Sequence, residues 1–295
     1  MNIIIIVLIF SIVLFFYLHI FFHLKTSEDL EIFEISNPSK ERLEEICDLR
    51  QPIILDYDIT NLNTFNIEYV KQNYGSFDIK LRDILNLSSD SEVFLPIILT
   101  NGIKILEEDE NSKFISENNE DFLEETSLIK VMNSNDAFLR PNMMSSNMYD
   151  YILGSKDSVT PFRYEMNYRN YFAVVNGSIK IKMTQPKSSK YLYPQNDYDN
   201  FEFSSPINPW DVSEQYKNDF DKIKLLEVTL EPGKLIFIPA YWWYSIKFED
   251  KNTSVISFKY KTYMNTLAIL PHIFKSFLQK QNIKHNIVEN VTKTE

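Results

Sequence analysis

Two tight turns in the second half of the chain, Asn176-Gly177 and Pro232-Gly233, constrain its fold more than any other feature. Each lies between segments of strand character. Tyr171 to Val175 is an aromatic and β-branched run, and after the first turn Ile179, Ile181 and Met183 alternate with Lys180 and Lys182. Leu226, Val228 and Leu230 alternate with Glu227 and Thr229 before the second turn, and Leu235 to Ile238 returns as an apolar strand. Asn-Gly between such runs is the strongest short-range hairpin signal, because both residues tolerate positive φ. Pro-Gly also turns a chain sharply. A last strand alternates Ile256, Phe258 and Tyr260 with Ser257, Lys259 and Lys261. Repeated hairpins with short turns predict an antiparallel sandwich or barrel rather than a parallel α/β sheet.

The N-terminus has a different character. Ile3 to Leu24 reads IIIIVLIFSIVLFFYLHIFFHL without one Asp, Glu, Lys or Arg. At about 1.5 Å per residue this run reaches roughly 33 Å, enough to cross a hydrocarbon core. A cleaved signal peptide would need a basic start, a shorter apolar stretch and small residues at its end. Met1-Asn2 carries no base, and the run leaves through bulky Phe22-His23-Leu24. Residues 1–25 therefore read as a transmembrane anchor, a signal-anchor of a single-pass membrane protein that contacts the bilayer through residues 3–24. Lys25, Lys40 and Arg42 follow the span and no Lys or Arg precedes it, which favours a cytosolic soluble domain. The single Cys47 fits a reducing compartment and excludes an internal disulfide.

Residues 26–149 read as a mixed α/β part. Asn37 as N-cap and Pro38 at the first helical position predict a helix over 38–49, striped by Leu43, Ile46, Cys47 and Leu49. Gln51 to Asp56 reads as a strand, and a helix through Ile67, Val70 and Tyr74 stops at Gly75 as its C′ residue. Residues 107–125 hold nine carboxylates and one lysine, the pattern of a solvated acidic loop. Residues 150–262 form the strand-rich core. In 263–295, Leu267 to Gln279 has helical spacing interrupted by Pro271, which predicts a broken helix or two short ones before a tail. From Lys259 to Glu295 six lysines stand against two glutamates; this reads as a solvated tail, with contact to an anionic membrane surface as the alternative. The formal charge of −11 argues against a nucleic-acid partner, which needs a phosphate-neutralising surface.

Histidine use is the sharpest exclusion. The four histidines are His19, His23, His272 and His285, so residues 24–271 can form no histidine metal site. His272 and His285 have no ligand-like neighbours at metal spacing. This matters because the strand segments resemble a known family. The order Thr160-Pro161-Phe162-Arg163-Tyr164-Glu165, Asn170-Tyr171-Phe172, Asn176-Gly177 and Glu231-Pro232-Gly233 through Trp242-Trp243-Tyr244 is similar to cupin-like JmjC domains of the asparaginyl-hydroxylase type. Ser257 to Lys261 resembles their closing core strand, and Arg50-Gln51-Pro52-Ile53-Ile54 their opening segment. The resemblance covers roughly 35–262. It implies a mainly β fold with flanking helices, a double-stranded β-helix or jelly roll, and in active members an Fe(II)- and 2-oxoglutarate-dependent hydroxylase.

The resemblance also implies where the chemistry should sit. Such a site holds iron with two imidazoles and a carboxylate. Here Arg163 stands at the first histidine position, Glu165 keeps the carboxylate, and Tyr244 stands at the second histidine position. The cosubstrate lysine falls on Ile179. Thr160, Asn170, Trp243 and Ser257 are candidate pocket-lining positions, although Trp242 and Trp243 also read simply as core and rim aromatics. These replacements predict no catalytic residues, no bound metal and no cofactor. Arg163 and Glu165 lie two apart on a strand and so face one side, which predicts an internal ion pair, with Tyr244, plugging a vestigial pocket. The alternative is that Arg163 binds an anionic ligand. Three functions follow: an inactive membrane-anchored module that binds a protein or small anion, an active oxygenase with atypical ligands, or a purely structural membrane protein. The first is favoured.

Overall fold

The computed structural model describes residues 3–58, 60–85 and 94–292, and their side chains except at 60, 61 and 282–292. The chain opens with the helix α1 (Ile3–Leu24). Then follow β1 (Phe33–Ile35), α2 (Lys40–Cys47), β2 (Ile53–Asp56), α3 (Ile67–Tyr74), β3 (Asp78–Asp83), β4 (Leu95–Ile98), α4 (Leu99–Glu108), β5 (Phe114–Ser116), α5 (Glu120–Glu125) and α6 (Leu128–Asn135). The strand-rich part comprises β6 (Met144–Gly154), β7 (Arg163–Tyr164), β8 (Arg169–Asn176), β9 (Ile179–Thr184), β10 (Gln195–Asp197), β11 (Glu202–Ser204), α7 (Glu214–Phe220), β12 (Leu226–Leu230), β13 (Lys234–Pro239), β14 (Trp243–Phe248) and β15 (Thr253–Thr262). Two helices close the chain, α8 (Tyr263–Ala268) and α9 (Leu270–Thr292).

Among the described residues the strands form two sheets. The larger runs β1-β2-β13-β8-β15-β6-β5-β3-β4 and the smaller β10-β11-β7-β14-β9-β12. The larger sheet is covered on both faces. Tyr149, Tyr151, Tyr171, Phe237, Phe258 and Tyr260 meet the helices of the N-terminal part through Leu43, Leu99, Phe122 and Met132. Its other face sends Ile152, Phe172, Val174, Ile236 and Val255 against Ile181, Tyr244, Ile246 and Phe248 of the smaller sheet. The result is a jelly roll with flanking helices. Its larger sheet takes strands from both sides of residue 149, so the N-terminal part extends the core rather than standing apart.

The two turns that most constrain the sequence are not hairpins. Asn176-Gly177 joins β8 of the larger sheet to β9 of the smaller one, and Pro232-Gly233 joins β12 of the smaller sheet to β13 of the larger. Both glycines have positive φ, 71° and 90°. The same tight turn chemistry that closes a hairpin here turns a corner, because the sheets twist and successive strands leave one for the other. From β6 to β9 and again from β13 to β15 each strand lies in the opposite sheet from the one before. That alternation defines a double-stranded β-helix.

Four local expectations are corrected. The cap of α2 is Ser39, whose Oγ accepts from Arg42 N at 3.2 Å, while Asn37 takes a left-handed φ of 48° outside the helix. Gly75 follows α3 with φ −58°, not a left-handed C′ geometry; a side chain there would come 2.6 Å from Lys71 O and Thr100 Oγ1. The acidic stretch 107–125 is not a solvated loop. It holds the end of α4, β5 and α5, and Glu117 in it is 1% exposed. Asp109 accepts from Lys113 N, Phe114 N and Ser155 Oγ at 2.7–3.0 Å, pinning the turn before β5. Two helices do form at the C-terminus, but the break is at Ile269 and not at Pro271, which falls within the first turn of α9. That helix is not short: it runs 23 residues to Thr292, where a tail is expected. His285 and the last lysine, Lys293, lie outside the described side chains.

Candidate functional site

The alternating strands bring a group of charged side chains between the sheets. Glu165 follows the short strand β7, and Tyr244 of β14 pairs in register with Arg163. Ser257 and Lys259 lie on one face of β15, facing the sandwich interior, while Ile256, Phe258 and Tyr260 face the helices. The alternation that marks this strand is therefore real. Its polar face, however, points inward and not to solvent, because the apolar face is covered by the helical layer.

Glu165 is held by three donors. Tyr244 Oη donates to its Oε1 at 2.5 Å, Lys259 Nζ lies 2.9 Å from the same oxygen, and Asn167 Nδ2 donates to Oε2 at 2.8 Å. Burial pushes the carboxyl pKa up, but Lys259, then Arg163 and the Tyr244 hydroxyl, outweigh it and leave it lowered. Tyr244 itself is fully buried, and burial together with the neighbouring carboxylate raises its phenol well above the ordinary range.

Arg163 does not pair with Glu165 as the sequence predicts. Its guanidinium forks onto Glu117 of the acidic stretch, with Nη1 3.0 Å from Oε1 and Nη2 donating to Oε2. Arg82 of β3 completes the cluster: Nη1 donates to Glu117 Oε1 at 3.0 Å and to Glu202 Oε2 at 2.9 Å, and Nη2 to Glu202 Oε1 at 3.1 Å. Burial opposes the Glu117 charge, yet Arg163, Arg82 and Lys259 together hold its pKa down to about 2. Two ion-pair systems therefore replace the single Arg163–Glu165 pair. The geometric reason is that an arginine fork matches a carboxylate edge to edge, and Glu117 offers both of its oxygens while those of Glu165 are already engaged.

The four candidate pocket positions separate. Asn170 belongs to the network, accepting from Asn167 Nδ2 at 3.0 Å and donating to Ile238 O at 3.2 Å. Ser257 is fully buried, and its hydroxyl has no hydrogen-bond partner among the described residues. Thr160 is engaged with the backbone of β14: its Oγ1 accepts from Ile246 N at 2.9 Å. Trp243 points to the other side of the smaller sheet, beside Phe162, Leu192 and Ile207, and its Nε1 donates to Ser189 Oγ at 2.7 Å. Thr160 and Trp243 therefore do not line the space around Glu165. A cavity of about 170 Å³ does border Arg163, Glu165, Lys259 and Lys261.

The residues that reasoning from sequence overlooks are Glu117, Arg82, Glu202 and Lys259. Glu117 is hidden in a run of acidic residues, and Lys259 carries no signal beyond a lysine on a strand. These side chains do not suit iron and 2-oxoglutarate. A metal would have to displace an ammonium and a phenol from the same oxygen of Glu165, with a guanidinium fixed nearby by Glu117. The position expected to anchor the cosubstrate, Ile179, is fully buried among Ile181, Leu230 and Phe248. Among the described residues no group of three or more His, Cys, Asp or Glu side chains is placed to hold a metal ion.

Comparison with known proteins agrees with this fold. The chain is 27% identical over 103 residues to the JmjC domain-containing protein D of Dictyostelium discoideum, covering 35% of this chain and 23% of that protein. It is 27% identical over 129 residues to the HSPB1-associated protein 1 of Rattus norvegicus, covering 43% and 26%. It is 23% identical over 178 residues to the lysine-specific demethylase JMJ31 of Arabidopsis thaliana, covering 58% and 31%. The matches thus span less than a third of each relative's length. The cupin-like domain profile matches residues 59–265, most of the chain and the whole of the jelly roll beyond its first two strands. With that match and the sheet order in agreement, the chain belongs to the cupin-like domain family and stands among JmjC-named relatives.

Proposed function

We propose that this protein is a membrane-anchored cupin-like domain in which an internal charge network occupies the place of iron, and that it acts as a binding or scaffold module. The observation that carries this reading is the occupancy of Glu165: its oxygens are taken by Lys259, Tyr244 and Asn167. The one carboxylate kept at the metal position is thereby a partner to a cation of the chain itself. The cavity beside it, about 170 Å³, is smaller than the roughly 300–1,000 Å³ of ordinary ligand pockets. It suits a small anion or a single side chain of a partner protein. The name of the HSPB1-associated relative is in keeping with a role in protein interaction. The membrane part of the proposal rests on α1, whose apolar side chains are exposed along the helix. The basic residues after α1, Lys25, Lys40 and Arg42, support a cytosolic side for the domain.

The test is the iron content of the purified full chain together with its consumption of 2-oxoglutarate in the presence of added Fe(II) and oxygen. The proposal expects neither stoichiometric iron nor turnover above a Glu165→Ala control. Turnover that the Glu165→Ala substitution abolishes would establish an active oxygenase with atypical ligands instead.

A further inference from the structure

The C-terminal helices carry an apolar face that the sandwich leaves uncovered. The inner side of α9 is accounted for: Ile269, just before it, is buried with Met166 and Phe203, Ile273 packs against the same group, and His272 stacks on Tyr198. On the outer side Leu270, Phe274, Phe277 and Leu278 are 51%, 58%, 57% and 43% exposed. Their spacing of i, i+4, i+7 and i+8 lines one stripe of the helix. At 3.6 residues per turn Lys275 and Lys280 fall on either flank of that stripe. Tyr263 and Leu267 on α8, and Met143 beside it, are also exposed and extend the surface towards α1.

The position of α1 indicates what covers this surface. His23 Nε2 lies 3.2 Å from Thr262 Oγ1, at the start of α8, and the Arg50 guanidinium sits 5.0 Å from the Phe22 ring. A cavity of about 520 Å³ has Phe15, Leu18 and Phe22 of α1 on one side and Met143, Tyr263 and Met264 on the other. Phe15 lies about 13 Å before the end of the helix, from the rise per residue. Contacts at this depth set α8 level with the last turns of α1 rather than beyond them. Leu24 and His272 share the lining of a further cavity, so the first turn of α9 also sits at the end of α1. An apolar stripe flanked by lysines is the pattern of a helix lying in the boundary between headgroups and acyl chains, with its ammonium groups reaching back to anionic phosphates.

We propose that α8 and residues 270–280 of α9 lie in the interface of the bilayer that α1 crosses. This rests on the reading of α1 as a span. The soluble domain is then seated on the membrane along three helices instead of hanging from one. Met166, Phe201 and Phe203 pack with α9 and also line the cavity beside Glu165, so a partner of that cavity approaches close to the membrane surface.

The test places single nitroxide labels at Phe274→Cys, Phe277→Cys, Phe10→Cys in α1 and Lys217→Cys on α7. The full chain is reconstituted in phosphatidylcholine–phosphatidylserine vesicles, and each label is probed with oxygen and with a water-soluble nickel chelate. Cys47 is buried and stays unlabelled. The labels at 274, 277 and 10 should show an oxygen-to-nickel accessibility ratio several-fold above that at 217. A lipid signature at 10 with nickel access at 274 and 277 equal to that at 217 overturns this inference and leaves the span intact. Nickel access at 10 overturns the span and the inference with it. Shielding of 274 and 277 from both probes, with dipolar coupling between chains, overturns the inference in favour of a second copy covering the face.

Discussion

At the scale of single residues the site is a charge network. Arg82, Arg163 and Lys259 face Glu117, Glu165, Glu202 and Asp150 in or beside one cavity, and each carboxylate is held by donors. Removing one side of a buried pair leaves an uncompensated charge, which costs far more than the pair contributes. Lys259→Met should therefore destabilise the fold by about 3 kcal/mol, read from denaturant unfolding of the full chain in detergent. Adding Glu165→Gln should recover part of that loss; additive losses would show that the two side chains do not interact. Acidity provides a second check. Arg163 and Arg82 hold the Glu117 carboxyl down to about 2, against an ordinary 4.5. A lowered carboxylate pKa gives stability that is complete above about 4.5 and is lost as pH falls through the lowered value. Asp150, whose pKa burial raises, works in the opposite direction and blunts the effect. Glu117→Gln should lower stability at neutral pH and flatten the decline below pH 4.5; an unchanged acid limb would contradict the assignment. Arg163, Glu165 and Tyr244 were legible as a cluster because strand periodicity and family spacing place them together. Their true partners were not, since Glu117 lies 46 residues away in sequence from Arg163 and looks like every other acid around it.

At the scale of elements, the strands were legible and their pairing was not. Alternation and turn residues report that a chain runs extended and reverses, but a corner between two sheets and a hairpin within one make the same local demand. The corners nevertheless differ in what they tolerate. Gly233 has φ 90° and open space where a side chain would go, whereas a side chain at Gly177, φ 71°, would run into Thr253 of β15. Gly233→Ala should therefore cost about 1–2 kcal/mol, the backbone term alone. Gly177→Ala should cost more, with overpacking adding about 1–3 kcal/mol. Equal losses in thermal or chemical unfolding would show that the Thr253 contact yields freely. The helix expected near 38–49 was found with a different cap, because Asn37 is used for a left-handed turn and Ser39 supplies the capping oxygen.

At the scale of the whole molecule, family order carried the fold where local pattern could not. The motif order from Thr160 to Tyr244 resembles that of a jelly roll, and the family match over 59–265 agrees with it. The seating of α1 against α8 was illegible, because it depends on a 239-residue separation between His23 and Thr262. If α1 is an uncleaved span, alkaline carbonate extraction should leave the full-length chain in the membrane pellet; a soluble product lacking residues 1–25 would mark α1 as a signal sequence. In the proposed function Glu165 belongs to Lys259 and Tyr244 rather than to iron. Anaerobic equilibrium titration of the full chain with Fe(II), with and without 2-oxoglutarate, tests it directly. Wild-type protein should bind no more iron than the Glu165→Ala variant, and one-to-one binding that this substitution abolishes would contradict the account.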